Sequence, residues 1–237
     1  LTQEITPQRV RQYAQKMGIQ TRIPAVKSIG IGTSTVRLLE LVTAYSVFPN
    51  GGIRVDPIAV TRIEDSEGGI IFEAEPLKQV AFRKSVAVVM TDMMRSVIDE
   101  EGGTGRSIRW RHRFAPQAAG KTGTTNDYRD AWFIGFTPDL VVGVWVGMDD
   151  PSLTLAELPG GAAALPLWAQ FMQEVYETVE PYRSRVDTEF EYPEELVVHL
   201  AWTDHVQQQH RDEELQLVNV CQAARQDAMY LSLQIQH

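Results

Sequence analysis

The sequence predicts an α+β fold, an antiparallel sheet flanked by helices. Several segments repeat apolar residues at the helical spacing of three and four, and the stretch from Ala119 to Gly147 holds three consecutive β-rich runs. A strongly amphipathic segment follows those runs. Strands that succeed one another and are then crossed by a helix give a sheet layered with helices, not an alternating parallel architecture.

The elements follow in order. Thr6 is placed to cap a first helix, Pro7 suits its first position, and Val10, Tyr13, Ala14 and Met17 form its apolar face before Gly18 stops it. Ser28–Thr33, spaced by glycines, leads into a second helix with Leu38, Leu39, Leu41, Val42 and Tyr45 in one stripe, ended by Pro49-Asn50-Gly51-Gly52. Two short strands, Ile58–Ile63 and Ile70–Phe72, surround the turn Asp65–Gly69. Val86, Val89, Met90, Met93, Met94, Val97 and Ile98 mark a third helix, stopped by Gly102-Gly103-Thr104-Gly105. Lys121-Thr122-Gly123 belongs to a strand at the edge of a groove, with Ala131–Phe136 and Val141–Gly147 as antiparallel partners joined by the turn Thr137-Pro138-Asp139. After the pair Gly160-Gly161 comes a helix that should bury Trp168, Phe171, Met172, Val175 and Val179 against that sheet.

Composition narrows the function classes. Hydrophobic residues are 43% and charged residues 22% of 237, the balance of a globular protein. A net charge of −9 argues against nucleic acid as a partner, because phosphate binding needs clustered cations. A single cysteine, Cys221, excludes a disulfide framework and a Cys-rich zinc site within the chain. His199, His205 and His210 lack the i, i+4 spacing of helical zinc ligands, so no metal is expected. No apolar run reaches the ~18 residues of a membrane span, and no leader sequence opens the chain. Because the first residue is Leu1, a piece of a longer protein is expected. No glycine follows Gly161, and beyond Pro181 histidine and glutamine accumulate. The expected organisation is therefore one unit over 1–181 and an extension over 182–237, either genuine or the product of a frame error.

Gly120-Lys121-Thr122 reads first as the end of a phosphate-binding loop. That motif requires glycine five positions before Gly120, where Ala115 stands. Lys-Thr-Gly is also one of three signatures of penicillin-recognising serine enzymes. Here it sits in Ala119–Pro138, with Gly143-Val144-Trp145-Val146-Gly147 and Asp149-Asp150-Pro151 continuing it and Ile31-Gly32-Thr33-Ser34 and Ala44–Gly52 upstream. Together these blocks, over roughly Thr6–Tyr176, closely resemble the class A penicillin-binding proteins, particularly the 1A type. The resemblance implies their transpeptidase fold, incomplete here at its N-terminal side. None of the ten serines has Lys at the third position after it or Asn at the second, so the Ser-x-x-Lys and Ser-x-Asn motifs are absent from this chain. Serine acyl transfer needs a hydroxyl within reach of a base, and this chain carries half of such a site.

The resemblance also implies roles. Residues two apart on a strand share a face, so Thr122 and Thr124 would both present hydroxyls to the terminal carboxylate of a D-Ala-D-Ala stem peptide or of a β-lactam. Lys121 would project oppositely, toward the serine motifs. The Thr124 N–H would be an oxyanion donor, Gly123 would leave room for a peptide to pair edge-on, and Thr125 and Asn126 would extend the binding surface. On residue type alone, the threonines read equally as ordinary strand residues, Lys121 as a solvated one, and Asn126, Asp127 and Asp130 as a polar turn. Trp132, Phe133 and Trp145 read as sheet core, Gly102–Gly105 as a helix stop or as shaping the approach to the site, and Arg106, Arg109, Arg111 and Arg113 as a solvated loop or as a basic run able to meet anionic glycan or lipid.

The implied parent is a membrane-anchored synthase, with a glycosyltransferase domain, at the outer face of the bacterial cytoplasmic membrane. Its membrane contact would run only through segments outside this chain, and its serine mechanism needs no cofactor. The implied reaction cross-links peptidoglycan. A penicillin-binding module without turnover, and a D,D-carboxypeptidase or β-lactamase-like hydrolase, are the other readings these residues allow.

Overall fold

The computed structural model describes residues 5–150, 153–155 and 158–192. They form two compact units, one ending at Ala87 and one starting at Val88.

In the first unit, helix α1 (Pro7–Lys16) begins with the Arg9 N–H donating to Thr6 Oγ1 at 3.3 Å and with Pro7 where its missing N–H costs nothing. It stops before Gly18, whose φ of +114° suits only glycine. Val10, Ala14 and Met17 pack on a core of Ile19, Ile23, Ile29 and Ala44, the last from α2 (Leu38–Ser46). A Cβ on Gly52 would strike the Phe82 carbonyl oxygen, so the turn after α2 admits no larger residue there.

Four short strands follow: β1 (Ile53–Val55), β2 (Arg62–Glu64), β3 (Ile70–Glu73) and β4 (Lys78–Val80). β1 pairs with β4 and β2 with β3, both antiparallel. The expected strand Ile58–Ile63 is thus mostly not one. Backbone pairing extends back only to Thr61, whose carbonyl takes the Ala74 N–H, and Pro76 closes off the partner segment two residues later. The β1–β4 ladder was not expected, because three residues carry too little alternation to register.

Helix α3 (Lys84–Asp99) leads into the second unit with Thr91, Met94 and Ile98 buried at intervals of three and four, while Val86, expected on the apolar face, is exposed. A single turn, α4 (Ser107–Trp110), comes next. Arg109 is not a solvated loop residue. It donates from Nε to Asp99 at 2.8 Å and from Nη1 to the carbonyls of Phe114 and Pro116 at 2.7 and 2.8 Å, tying down the segment that enters the sheet.

The sheet is β5 (Ala119–Thr124), β6 (Asp130–Phe136) and β7 (Val141–Gly147), antiparallel and in that order, so β5 is an edge as expected. Helix α5 (Gly160–Thr178) lies on one face. Ala164, Leu165, Trp168, Ala169, Met172 and Tyr176 of α5 join Ala131 and Phe133 of β6, with Ile98, Ile108 and Phe114, in the unit's core. Trp168 is enclosed by Phe114 and Phe133, and its Nε1–H donates to the carbonyls of Gly135 and Val142.

Three expectations are corrected. Phe171 and Val179 are exposed and Val175 half-buried: the buried stripe is centred on Trp168 and Met172, Phe171 falls about 100° from its centre, and the helix ends before Val179. Gly160 and Gly161 are the first residues of α5 and do not precede it. Phe133 is core, but Trp132 is half-buried and Trp145 exposed, because alternation puts both on the face away from α5, paired with each other.

After α5 the chain turns back. Phe190 is buried against Phe136, and Tyr192 accepts a 2.8 Å hydrogen bond from Arg95. The rest of the expected extension, with His199, His205, His210 and Cys221, lies outside the described residues. Among the described residues no helix is long and apolar enough to cross a membrane.

Trp168→Ala should lower unfolding stability by about 3–5 kcal/mol, through lost burial and the cavity left behind. Phe171→Ala on the same helix should cost under about 1 kcal/mol. Urea denaturation of the two variants checks this; equal losses would mean the face of α5 has been misassigned.

Candidate active site

Strand β5 runs Ala119-Gly120-Lys121-Thr122-Gly123-Thr124, and its cross-strand register with β6 is unbroken from Ala119↔Phe136 to Thr124↔Ala131. Gly120 faces Gly135 across this ladder. A Cβ on either would lie 2.7–2.8 Å from the Phe133 ring, so the bare backbone at both positions is what lets that ring and Trp168 close over the strand pair.

Alternation fixes what each residue presents. Thr122 and Thr124 share the α5 face with their partners Phe133 and Ala131, while Lys121 and Gly123 share the other with Ile134 and Trp132. The Thr125 N–H donates to Asp130 O at 3.1 Å. Because the amides of an antiparallel strand point alternately toward and away from the partner, the N–H groups of Thr124 and Thr122 are directed away from β6, to the open edge. The strand thereby brings two hydroxyls and two main-chain donors to one edge.

Both hydroxyls are held by neighbours distant in sequence. Thr124 Oγ1 accepts from the Gly160 N–H at 3.0 Å, leaving its own proton to donate. That contact depends on Gly160, whose Cβ would strike the Gly123 carbonyl oxygen and lie 2.6 Å from the Trp132 carbonyl oxygen. Thr122 Oγ1 lies 2.8 Å from Thr104 Oγ1, either being able to donate. The sequence reads Gly102–Gly105 as a helix stop or as shaping the site's approach, and Gly160-Gly161 as preceding a helix; contacts spanning 18 and 36 residues leave no local signal that names Thr104 or Gly160.

Lys121 curls its ammonium onto the Thr122 carbonyl at 3.0 Å, at the same open edge. Burial pushes its pKa below the ordinary lysine value. Among the described residues no carboxylate pairs with it, so it is a desolvated cation with unspent charge. Thr125 and Asn126 lie beyond the strand and are exposed. The Thr125 hydroxyl donates to Asp130 Oδ2 and accepts the Asp130 N–H, while Asp130 Oδ1 takes the Trp145 indole N–H at 2.8 Å. Asp130 thus holds the turn, within which Asp127 and Tyr128 have φ of +61° and +52°, conformations sparsely populated outside glycine.

The directed Thr124 hydroxyl donor, a second hydroxyl on Thr122, outward amides and an uncompensated ammonium suit a ligand with a carboxylate next to an extended backbone. The described residues hold no cluster of three potential metal ligands.

Comparison with known proteins gives the same direction. The family model described as penicillin binding protein transpeptidase domain matches residues 1–173. The chain is 36% identical over 189 residues to penicillin-binding protein 1A of Aquifex aeolicus, covering 80% of this chain and 24% of that protein. It therefore spans about a quarter of the length of this relative. Among solved structures, penicillin-binding protein 1A of Haemophilus influenzae superposes with a TM-score of 0.71 at 23% identity, covering 81% of this chain and 33% of that one. The PonA1 protein of Mycobacterium tuberculosis in complex with penicillin V gives 0.63 at 24% identity, covering 79% and 52%. Both show the shared fold.

The depressed pKa of Lys121 has a consequence for stability. Between that pKa and the ordinary lysine value of about 10.4, the unfolded chain binds more protons than the folded one, so stability gains from Lys121 as pH rises through this window. Below the window the cost of burying the charge is fully present. The stability of the parent relative to Lys121→Met should accordingly rise with pH in the alkaline range and stay level at lower pH. Melting temperatures of the two across pH check this, and parallel profiles would mean the ammonium is not desolvated.

Proposed function

The chain belongs to the penicillin-binding protein transpeptidase family, and from that membership we propose that it is the Lys-Thr-Gly half of a serine-type D,D-transpeptidase site. The observation that carries the reading is the open edge of β5, where Lys121, Thr122 and Thr124 gather donors and positive charge. In the full-length synthase a serine from the Ser-x-x-Lys motif attacks the penultimate D-Ala carbonyl, D-Ala leaves, and a neighbouring stem-peptide amine takes the acyl group. The product is a peptidoglycan cross-link. Thr122 and Thr124 receive the terminal carboxylate, the Thr124 N–H stabilises the oxyanion, and Lys121 supplies positive potential on the side of the serine motifs. Gly123 keeps the edge narrow for an extended peptide, with Thr125 and Asn126 at its rim.

The partners are the D-Ala-D-Ala stem peptide and β-lactams, which place a carboxylate beside a reactive carbonyl in the same way. The chemistry requires no cofactor. The same reading assigns 1–181 to the transpeptidase unit and 182–237 to an extension, and places the synthase in the cell envelope, with a glycosyltransferase domain and membrane anchor outside this chain.

Mass spectrometry after incubation with a penicillin tests the proposal. These 237 residues alone should form no serine-linked adduct, since no serine is followed by lysine at the third position. The full-length synthase should form one that Ser→Ala in its Ser-x-x-Lys motif abolishes. Thr124→Val in that protein should slow acylation roughly 10- to 100-fold, the weight of one hydrogen bond to a charged group. An adduct on the 237-residue chain, or acylation indifferent to Thr124→Val, would refute the assignment.

A further inference from the structure

We propose that Thr104 is a positioning residue of this site, one whose hydroxyl donates to Thr122 Oγ1 when a carboxylate binds and so frees the Thr122 proton for that ligand; the inference rests on the functional reading above. Its basis is the build of the Gly102-Gly103-Thr104-Gly105 loop. Gly102 has a φ of +86°. A Cβ on Gly103 would strike the Val97 carbonyl oxygen and lie 2.8 Å from that of Ser96, and the Gly105 N–H donates to Val97 O at 2.9 Å. Each glycine serves the backbone, letting the loop fold tightly over the last turn of α3. The one side chain among the four is aimed at the site, with its hydroxyl 2.8 Å from that of Thr122.

Two hydroxyls in contact share one proton between them, and the direction matters. If Thr122 donates to Thr104, it meets an incoming carboxylate with lone pairs. If Thr104 donates to Thr122, the Thr122 proton is free for the anion. Thr124 already stands in that second state, because its oxygen accepts from the Gly160 N–H, which cannot reverse. A carboxylate bridging the two threonines selects the Thr104→Thr122 direction, and the relay polarises the donor that touches the ligand. Thr104 lies on the loop and not on the edge strand, and its hydroxyl meets that of Thr122, so it acts through Thr122. A further neighbour guards its place: a Cβ on Gly161 would come within 3.1 Å of the Thr104 carbonyl oxygen.

The test uses the full-length synthase with two probes, benzylpenicillin and its methyl ester, which differ in the carboxylate alone. Thr104→Val keeps the shape and removes the relay; Thr104→Ala is the second variant lacking the hydroxyl, and Thr104→Ser restores it. Acylation by benzylpenicillin should fall roughly 3- to 10-fold in the Val and Ala variants, as expected for one neutral hydrogen bond, and recover in the Ser variant. Acylation by the ester should not change, and the melting temperature of Thr104→Val should stay with the parent. Equal losses with both probes would reduce Thr104 to a structural residue and overturn the inference, as would unchanged rates with benzylpenicillin. If the unmodified synthase is acylated by neither probe, the transpeptidase reading itself falls; if it is acylated with a carboxylate preference that ignores Thr104, only this inference does.

Discussion

Helix α5 lies directly on the backbone of β5 and β6 because Gly135 and Gly160 have no Cβ. At Gly135 the Trp168 ring occupies the space a side chain would take, 2.8 Å from where its Cβ would be. At Gly160 the start of the helix comes close enough to lend its N–H to Thr124. The helix therefore serves two places: its middle supplies the core with a fully enclosed indole, and its buried first residue, Gly160, holds a site hydroxyl. A methyl group at either glycine would lift the helix, and core and site would loosen together.

The electrostatics follow from the same geometry. The chain is acidic, at −9, yet the edge of β5 concentrates a desolvated ammonium, outward amides and the first N–H of a 19-residue helix. Partial positive charge at a helix N-terminus and the charge of Lys121 act across a partly buried region where screening is weak. That edge is therefore a place where an anion gains.

How much could be read from the sequence depended on the range of each signal. The period of two along Lys121-Thr122-Gly123-Thr124 is local, and it correctly set the lysine opposite the threonines. The β6–β7 hairpin was equally legible, because Thr137-Pro138-Asp139 marks its turn and the flanking runs are long. Apolar richness misled where more hydrophobic residues were present than one face could bury, as with Phe171 on α5 and Val86 on α3. Trp132 and Trp145 suggested core by their type, whereas their parity sets them on the far face. Thr104 and Gly160 reach the site only through tertiary packing, and nothing near them in sequence shows it.

The three-stranded sheet has two free margins among the described residues, the outer sides of β5 and β7. An unpaired strand margin is indifferent to whose backbone completes it, so the open edge of β5 can also take the β7 of another molecule. Such pairing would propagate head to tail, since it joins two different margins and closes no ring. The net negative charge then has a colloidal role, keeping like molecules apart. The chain should be most prone to self-association near its isoelectric point of about 5.1, where that repulsion vanishes.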